Sequence, residues 1–458
     1  MLEVKNLTFR YESYESTSSR VLLNNVSFTL RKNENILILG RPGAGKTTLS
    51  FILSGLTPKY NDGELTGTVL YDGKGVDEAL EELTVFSLVP QNTADSMITS
   101  TVEEELAFPL ESLGMDVEEM ERRITEVCSG WGLERLRYVG TQELSGGEKR
   151  RLMLACAEVT DPDYMIYDEA FDDLDVSYRE KLAKKLQKRE RASIVTASHF
   201  LSCFTGLFDE VYILDGTLKR ADSHMVTAFS EIPRMTFQPV TSDDVLSVRD
   251  LKFTHPHRSI SEEEPFRLTV PEFSLRRGEV ITLTGPNGSG KSTFSSLLCG
   301  LYAPEYGVIA YRGRSLDRKE LARTVGYMFQ NPDWQIFLPT VRDELSFAYE
   351  RERLKRSETD AKVNELTRLF NLDPGSIATM MSYGERKRLQ AAVYYSLKRP
   401  FCILDELDSA LSYDESASLI TLLAAQGAGI ILITHDEAFA RAVSDRGYSV
   451  KDGVVNAL

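Results

Sequence analysis

The sequence predicts an α/β fold that is built twice in tandem, and three observations lead to this prediction. Short apolar runs precede glycine-rich loops that open helix-like segments, which is the pattern of strand, loop and helix. Such a loop occurs at residues 40–47 and again at 285–292, and Lys46 and Lys291 lie 245 positions apart, about half of the 458 residues. Later apolar runs in both halves end in paired carboxylates. We therefore interpret the chain as an internal duplication in which each further motif is tested by its repetition.

Each glycine loop fits the pattern G-x-x-x-x-G-K-[ST], which is typical of a polyphosphate-binding loop. Glycines let successive backbone N–H groups point at the anion, and the next helix directs its positive N-terminal end at the same place. A glycine turn without a ligand is the alternative, which the flanking strand and helix disfavour. The predicted nucleotide-binding residues are Gly40, Arg41, Pro42, Gly43, Ala44, Gly45, Lys46, Thr47 and Thr48 in the first half, and Gly285, Pro286, Asn287, Gly288, Ser289, Gly290, Lys291, Ser292 and Thr293 in the second.

Composition limits the functions that the chain can have. Its 53 Lys and Arg against 69 Asp and Glu give a net charge of −16, so general nucleic-acid binding is not expected. The five cysteines show no C-x-x-C pairing and are expected to be reduced residues of a cytosolic protein. No signal segment is expected at the start, and no apolar run reaches the ~18 residues of a membrane span. A membrane role would therefore require a partner.

The remaining segments suggest how each half is arranged. Alternating runs before the first loop predict an antiparallel β subdomain, and the charged stretches near 101–140 and 341–380 predict helices. The domains are expected at 1–235 and 244–458, and a polar insert at 257–265 is expected to be a loop. Tyr11, which ends a strand before the loop, could stack on an adenine ring or pack on the protein. His255 stands at the equivalent place in the second half.

Two glutamines follow β-rich runs in register, Gln91 and Gln330, and a Thr-Val pair lies ten residues after each. A glutamine at a strand end can offer its carbonyl oxygen to a metal or a water and its amide to a phosphate. Both are therefore candidate catalytic and metal-binding residues.

Two apolar strands end in carboxylate pairs, Asp168-Glu169 and Asp405-Glu406. Ligands bind at the carboxyl ends of parallel strands, where the aspartate can hold Mg²⁺ with Thr47 or Ser292. The glutamate can orient or deprotonate a water for attack on the γ-phosphate.

A second pair of strands ends in His199 and His435. A histidine in such a place is often structural, but beside a triphosphate it can hydrogen-bond the leaving phosphoryl group. A further anion site is predicted where Ser145, Gly146 and Gly147 open a helix, with Ser382, Tyr383 and Gly384 as the counterpart.

Together these motifs resemble the ATP-binding cassette (ABC) ATPases over nearly the whole chain, twice. The resemblance implies two tandem P-loop ABC-type ATPase domains, each with a mostly parallel core sheet, an antiparallel β subdomain and a helical subdomain. It implies ATP and Mg²⁺ as ligands, and a head-to-tail pair in which each ATP lies between one half's phosphate loop and the other half's signature. The fused chain is then a dimer in one polypeptide, without need of further oligomerisation.

A finer resemblance is to the energy-coupling-factor importer ATPases, which include the cobalt and nickel ones. Residues 330–337, 340–341 and 344–347 are similar to that family's segment facing the membrane subunit, whereas residues 93–98 depart from it. This implies an import ATPase on the cytoplasmic side of the cell membrane, with a membrane-embedded partner and a micronutrient cargo. The rival interpretations are a soluble twin-cassette ATPase acting on ribosomes or nucleic acid, and a membrane-free regulatory ATPase.

The departures from the motifs all fall on one side of the expected pair. Tyr383 replaces a signature glycine, and Ser412 stands where the first half has Asp175. Both would face the phosphate loop of Lys46. We therefore expect the Lys291 site to be the principal hydrolytic one and the Lys46 site to bind ATP with slow turnover. The alternative is that Tyr383 points to solvent and both sites work.

Overall fold

The computed structural model describes residues 1–11, 21–60, 63–82, 84–91, 96–171, 174–237, 244–255, 265–349, 354–409, 411–444 and 446–458. The chain divides into two compact units, Met1–Glu231 (unit 1) and Ile232–Leu458 (unit 2). Except for its last residue, Pro265, the expected polar loop at 257–265 lies outside the described residues. Both units have the same order of helices and strands until the segment before their last two strands, where unit 2 has one additional α-helix, and this agrees with the predicted duplication.

The first described residues of unit 2, 232–237, pack on the rest of that unit. The Met235 amide donates to the Ala442 carbonyl over 3.0 Å. Ile232, Met235 and Phe237 contact the apolar core of that unit.

Unit 1 contains two sheets. Its strands are β1 (Leu2–Tyr11), β2 (Val21–Leu30), β3 (Asn35–Leu39), β4 (Gly63–Tyr71), β5 (Lys74–Gly75), β6 (Phe86–Val89), β7 (Tyr164–Asp168), β8 (Ala192–Ala197), β9 (Glu210–Asp215) and β10 (Thr217–Arg220). The order β2-β1-β4-β5 forms the expected antiparallel sheet, and β10-β9-β3-β8-β7-β6 forms the core sheet. In the core sheet, β6 to β9 run parallel with β3, and only the edge strand β10 is antiparallel.

Unit 2 repeats these strands but joins them into one sheet. They are β11 (Val245–Thr254), β12 (Arg267–Arg276), β13 (Val280–Thr284), β14 (Tyr306–Tyr311), β15 (Arg314–Ser315), β16 (Val325–Met328), β17 (Phe401–Asp405), β18 (Gly429–Ile433), β19 (Gly447–Lys451) and β20 (Val454–Ala457). A parallel pairing of β12 with β20 at Thr269 and Val454 connects the antiparallel part to the parallel core.

The helices cover the sheets and form the expected helical subdomains. In unit 1 they are α1 (Lys46–Leu53), α2 (Val76–Leu80), α3 (Val102–Ser112), α4 (Val117–Trp131), α5 (Gly146–Val159), α6 (Val176–Gln187) and α7 (Ser223–Thr227). In unit 2 they are α8 (Lys291–Leu298), α9 (Arg318–Thr324), α10 (Val341–Tyr349), α11 (Arg356–Leu369), α12 (Tyr383–Leu397), α13 (Tyr413–Ala425) and α14 (Glu437–Val443). Among the described residues, no helix is long and apolar enough to cross a membrane.

Buried packing holds the phosphate loops in place. Leu49 and Ile52 of α1 lie in the same core cluster as Phe9 of the antiparallel sheet and Ile36 of the core sheet. In unit 2, Phe294 of α8 contacts Phe273 with the two ring centroids 5.1 Å apart. Because full burial of such a side chain contributes about 1.5–3 kcal/mol, each loop is anchored by the core behind it.

Candidate nucleotide-binding and hydrolysis sites

Both glycine loops lie at the carboxyl ends of central strands. The first connects β3 to α1 and the second connects β13 to α8, so the predicted loop residues lie together in each unit. Gly45 and Gly290 close the loops with φ of 97° and 112°, which favours glycine. A Cβ on Gly290 would also lie 2.7 Å from Cζ of Phe266. The helix N-termini carry no side-chain cap, which leaves their N–H groups available to an anion.

The two loop lysines are buried and fold back over the loops. Lys46 Nζ donates to the Gly40 carbonyl over 2.7 Å, and Lys291 Nζ donates to the Gly285 carbonyl over the same distance. Lys46 also lies 3.0 Å from Oε1 of Glu169. Each ammonium group is therefore held at the place where the outer phosphates of a nucleotide would bind.

The carboxylate pairs lie beside the loops, at the ends of β7 and β17. Glu169 and Glu406 have φ of 49° and 48°, and their amides donate to the neighbouring strand, at the Thr196 and Ile433 carbonyls. Burial, and then the charge of the adjacent glutamate, raise the pKa of Asp168 and of Asp405 to about 6. The left-handed backbone fixes both glutamates at the strand tips.

The glutamates themselves have lowered pKa values. Burial raises the pKa of Glu169, but the charge of Lys46 and the hydrogen bonds from Ser198 and Lys46 outweigh it. At Glu406, burial is outweighed mainly by the hydrogen bond and charge of His435. Both carboxylates are therefore ionised at neutral pH, as a water-activating group must be.

The predicted metal-binding side chains lie together in each unit. Thr47 hydrogen-bonds Asp168. In unit 2 the Tyr327 hydroxyl donates to Asp405 Oδ2 over 2.6 Å and also hydrogen-bonds Ser292. Hydroxyl, carboxylate and amide oxygens are the ligands that Mg²⁺ takes beside phosphates, so the donor set fits this ion. Tyr327 was not predicted, and Leu88 takes its place in unit 1.

Both predicted glutamines contact the glutamates. Gln91 Nε2 donates to Glu169, and Gln330 Nε2 donates to Glu406 Oε2 over 2.6 Å. Each glutamine thus joins the glutamate at the strand end to the segment that leads into the helical subdomain.

The predicted equivalence of His199 and His435 is wrong by one position. In unit 1 Asp168 pairs with Thr196, and in unit 2 Asp405 pairs with Ile433. Two residues further along lie Ser198 and His435. The Ser198 hydroxyl donates to Glu169 Oε1 over 2.6 Å, and His435 Nε2 lies 3.2 Å from Glu406 Oε1. His199, which is buried, falls one residue beyond this place.

The signature serines cap helices. Ser145 begins α5 and Ser382 begins α12, each in a reciprocal capping pair with the glutamate three residues later. Gly146, Gly147 and Gly384 lie in the first turns of these helices. Asp175 and Ser412 likewise cap α6 and α13, so the exchange between them preserves a helix cap.

Tyr383 takes an orientation that neither expectation included. Its hydroxyl donates to the Gln330 carbonyl of the same unit over 2.8 Å. In unit 1 the buried Arg150 makes the comparable contact, because it donates to the Pro90 and Gln91 carbonyls over 2.6 Å each. Both signature helices are thus tied to the glutamine segment, through different side chains.

Tyr11 lies next to the phosphate loop helix. Its hydroxyl is 3.0 Å from Oγ1 of Thr48, and the edge of its ring contacts Phe9 with the centroids 4.8 Å apart. The ring is 40% exposed. Stacking of Tyr11 on an adenine stays a prediction, as does the placement of each nucleotide between the two halves.

Comparisons with known proteins identify the family. The family model described as "ABC transporter" matches residues 23–172 and 268–409. A Bacillus subtilis (strain 168) protein, provisionally named HMP/thiamine import ATP-binding protein YkoD, is 30% identical over 502 residues, covering 97% of this chain and 89% of its own length. A Methanosarcina mazei protein, provisionally named an ABC transporter ATP-binding protein, is 28% identical over 472 residues, covering 99% and 94%.

Similarity to solved structures extends over the whole chain. A chain of the structure described as "Model of ribosome-bound archaeal Pelota and ABCE1" superposes with a TM-score of 0.68 at 22% identity, covering 99% of this chain and 78% of that one. At this identity the likeness shows the twin-cassette fold alone.

Proposed function

We propose that this chain, which belongs to the ABC transporter family and is an ATP hydrolase, is the ATP-hydrolysing subunit of an energy-coupling-factor type importer. It would act at the cytoplasmic face of the cell membrane and drive uptake of a micronutrient, a vitamin or a transition-metal ion, through a membrane-embedded partner. The provisional name of the Bacillus subtilis relative, an import protein for HMP and thiamine, supports a vitamin-type cargo.

The reaction follows from the side chains around each phosphate loop. The loop amides and lysine bind the phosphates, and Mg²⁺, when bound beside Asp405 and Ser292, would neutralise phosphate charge. Glu406 orients a water whose oxygen bonds to the γ-phosphorus while the bond to the bridging oxygen breaks. ADP leaves with that electron pair, and the carboxylate takes the proton of the water.

One observation carries the import proposal: an apolar groove of about 440 Å³ lies beside the Gln330 segment of unit 2. Trp334 and Phe337 on its rim are 73% and 66% exposed, and Phe337 contacts Phe347 edge-on at 5.5 Å. An exposed apolar patch of this kind marks a binding surface. The groove fits one apolar helix of a membrane subunit.

The groove is connected to the catalytic carboxylate. Gln335, on its wall, accepts from the Phe329 amide over 3.0 Å and donates to the Tyr327 carbonyl over 2.8 Å. Gln330, the residue that follows Phe329 in the chain, donates to Glu406. A helix docked in the groove would therefore act on the glutamine that orients the water-activating residue.

Unit 1 exposes a smaller apolar pair at the matching positions. Ile98 and Phe108 are 74% and 49% exposed, and they correspond to Phe337 and Phe347 when Thr101 is matched with Thr340. In both units a buried glutamate holds this segment: Glu105 accepts from the Thr99 amide, and Glu344 accepts from the Leu338 amide, each over 2.8 Å. The import proposal therefore uses a related surface on each unit.

The test is co-purification of the tagged full-length chain from membranes. We expect a small hydrophobic protein to accompany it, and we expect Phe337→Glu to remove that protein and to move the chain into the soluble fraction. Tyr306→Glu is the matched control, because Tyr306 is 75% exposed but lies away from the groove on β14. Recovery with ribosomes, or equal membrane retention of both variants, would contradict the import role.

A further inference from the structure

We infer that unit 1 has a second binding site, outside its nucleotide site, for a small ligand that carries a dianionic group such as a phosphate monoester. The site is a cavity of about 470 Å³. Its wall is formed by α4, by the ends of α5 and α6, and by Met165, Tyr167 and Ser193 of β7 and β8. The inference rests neither on the import role nor on any difference between the two nucleotide sites.

The core sheet separates this cavity from the nucleotide site. Successive residues of a strand point to opposite faces of a sheet. On the face that carries the phosphate loop, Asp168 accepts from the Ser50 hydroxyl of α1 over 3.3 Å. Tyr167, the residue before Asp168, points to the other face and packs in the core cluster formed with α4, α5 and α6. A ligand in the cavity would therefore leave the nucleotide site free.

Two hydroxyl groups in the wall of the cavity point to a polar ligand. Tyr167 and Ser193 are each only 3% exposed, yet within the described part of the chain neither side chain makes a hydrogen bond. Buried polar groups of folded proteins nearly always have a partner, so both hydroxyls require one that the chain does not supply. Burial and the charge of Glu158 raise the pKa of Tyr167, so its hydroxyl keeps the proton that it would donate to an anion.

The wall of the cavity also carries an excess of positive charge. Six cationic and four anionic side chains line it, which gives a net charge of +2, although the whole chain carries −16. A dianion would balance this charge, and guanidinium groups bind phosphate oxygens through paired hydrogen bonds. The cations are Arg122, Arg123, Lys185, Lys188, Arg189 and Arg191, and the anions are Glu126, Glu158, Asp161 and Glu190.

The ion pairs around the cavity leave several of these cations able to bind a ligand. Arg191 pairs with Asp161, whose side chain is 68% exposed, and Lys188 lies 3.9 Å from the exposed Glu190. Exposed pairs of this kind contribute little to stability, so their cations can exchange a carboxylate for a phosphate at small cost. Lys185 differs, because it pairs with the buried Glu158.

Unit 2 lacks this chemistry at the equivalent positions. When the helix caps Asp175 and Ser412 and the strand ends Asp168 and Asp405 are matched, the counterparts of the key cavity residues are neutral. Tyr167 and Ser193 become Leu404 and Ile430, and Lys185, Lys188 and Arg191 become Leu422, Ala425 and Ala428. Since both units share the fold, the fold itself does not require these polar side chains.

The first experiment titrates the full-length chain with inorganic phosphate and with glycerol phosphate by calorimetry, at about pH 8, where phosphate monoesters carry close to two charges. Mg²⁺ and a non-hydrolysable ATP analogue fill both nucleotide sites throughout. We expect one further site per chain. Equal affinity for both probes would identify the dianion itself as the ligand, and binding of glycerol phosphate alone would identify an ester. Absence of binding by either probe would overturn the inference.

The second experiment repeats the titration with Tyr167→Phe and with Arg191→Gln. We expect each change to weaken binding about tenfold or more, because each removes a hydrogen-bond donor to a charged group. Tyr167→Phe removes no hydrogen bond within the described chain, so its loss of binding would not come from unfolding.

Arg314→Gln is the matched control, because Arg314 also pairs with a carboxylate, that of Glu320, but lies in unit 2. It should bind the probes with wild-type affinity. Unchanged affinity in both Tyr167→Phe and Arg191→Gln, or an equal loss in Arg314→Gln, would show that the probes bind elsewhere and would contradict the assignment.

Discussion

Replacing Asp405 by Asn is expected to stabilise unit 2 while removing its ATP turnover. Asp405 is buried at the end of β17, where burial and the charge of Glu406 raise its pKa to about 6 from an ordinary 3.8. The folded state therefore binds this proton more tightly than the unfolded state does. The ionised carboxylate therefore destabilises the fold.

The size of the effect follows from the pKa shift. A rise of about 2 units corresponds to on the order of 3 kcal/mol, because each unit is worth about 1.4 kcal/mol. For an acid whose pKa is raised by folding, the free energy of unfolding falls as the pH rises from the pKa in the unfolded chain to the pKa in the folded chain. The full loss is reached above about pH 6. Asn is neutral throughout, and its Oδ1 can accept the hydrogen bond that Tyr327 donates to Asp405. At roughly 2–4 °C per kcal/mol, the unfolding midpoint of unit 2 should rise by about 6–12 °C near neutral pH.

The assay is thermal unfolding of the full-length wild type and the variant without nucleotide or Mg²⁺, from about pH 4 to pH 8. The difference in midpoint should be smallest at the acid end and level off above about pH 6 to 7. Asp250→Asn is the control, since Asp250 is exposed and its φ of 49° suits asparagine. A variant that is less stable than the wild type at neutral pH, or a difference that does not change with pH, would refute the reasoning.

Three further predictions concern the sites. Glu406→Gln should lower ATPase activity much more than Glu169→Gln, and equal losses in steady-state assays would contradict the asymmetry. Tyr383→Phe removes the 2.8 Å hydrogen bond to the glutamine segment, so we expect about 1 kcal/mol of lost stability and a lower kcat at unchanged KM; wild-type kinetics would show that this contact is not used. Gly290→Ala should abolish ATP binding at unit 2 because its φ is 112° and its Cβ would clash, whereas Gly313→Ala, also at positive φ (75°) but with open space, should bind ATP normally.

Much of the fold and the site follows from local sequence patterns. The glycine loops need a fixed run of residues between a strand and a helix, and the structure places both runs there. The positions of the carboxylates after β7 and β17 also follow from a local pattern, since charged residues directly after a buried apolar strand must lie where that strand leaves the sheet. For this reason the duplication, the twin-cassette fold and the ATPase activity were predictable from one chain.

The error at His199 has a physical cause in register. Both strands are apolar and both are followed by a histidine within two residues, so a sequence pattern aligns the histidines. Hydrogen bonding to the neighbouring strand, at Asp168 and Thr196, moves the alignment by one residue. A shift of one residue cannot be read from composition or periodicity, because every residue of β8 is buried.

The orientation of Tyr383 was unpredictable for a different reason. A tyrosine at the first turn of a helix can reach several acceptors, and its rotamer depends on which carbonyl is left without a donor. In unit 2 the Gln330 carbonyl accepts from this hydroxyl, whereas in unit 1 the Gln91 carbonyl accepts from Arg150. Only the three-dimensional structure shows that Tyr383 and Arg150 make equivalent hydrogen bonds to the glutamine segments of their units.

The packing of residues 232–237 has a practical consequence for dissecting the protein. A fragment meant to reproduce unit 2 by itself should start at Ile232, because a start at Asp244 would strip three apolar side chains from its core and the amide partner from the Ala442 carbonyl. Such a shortened fragment would expose an apolar surface that residues 232–237 cover in the full chain. Aggregation of a fragment cut at Asp244 should therefore be attributed to the choice of cloning boundary.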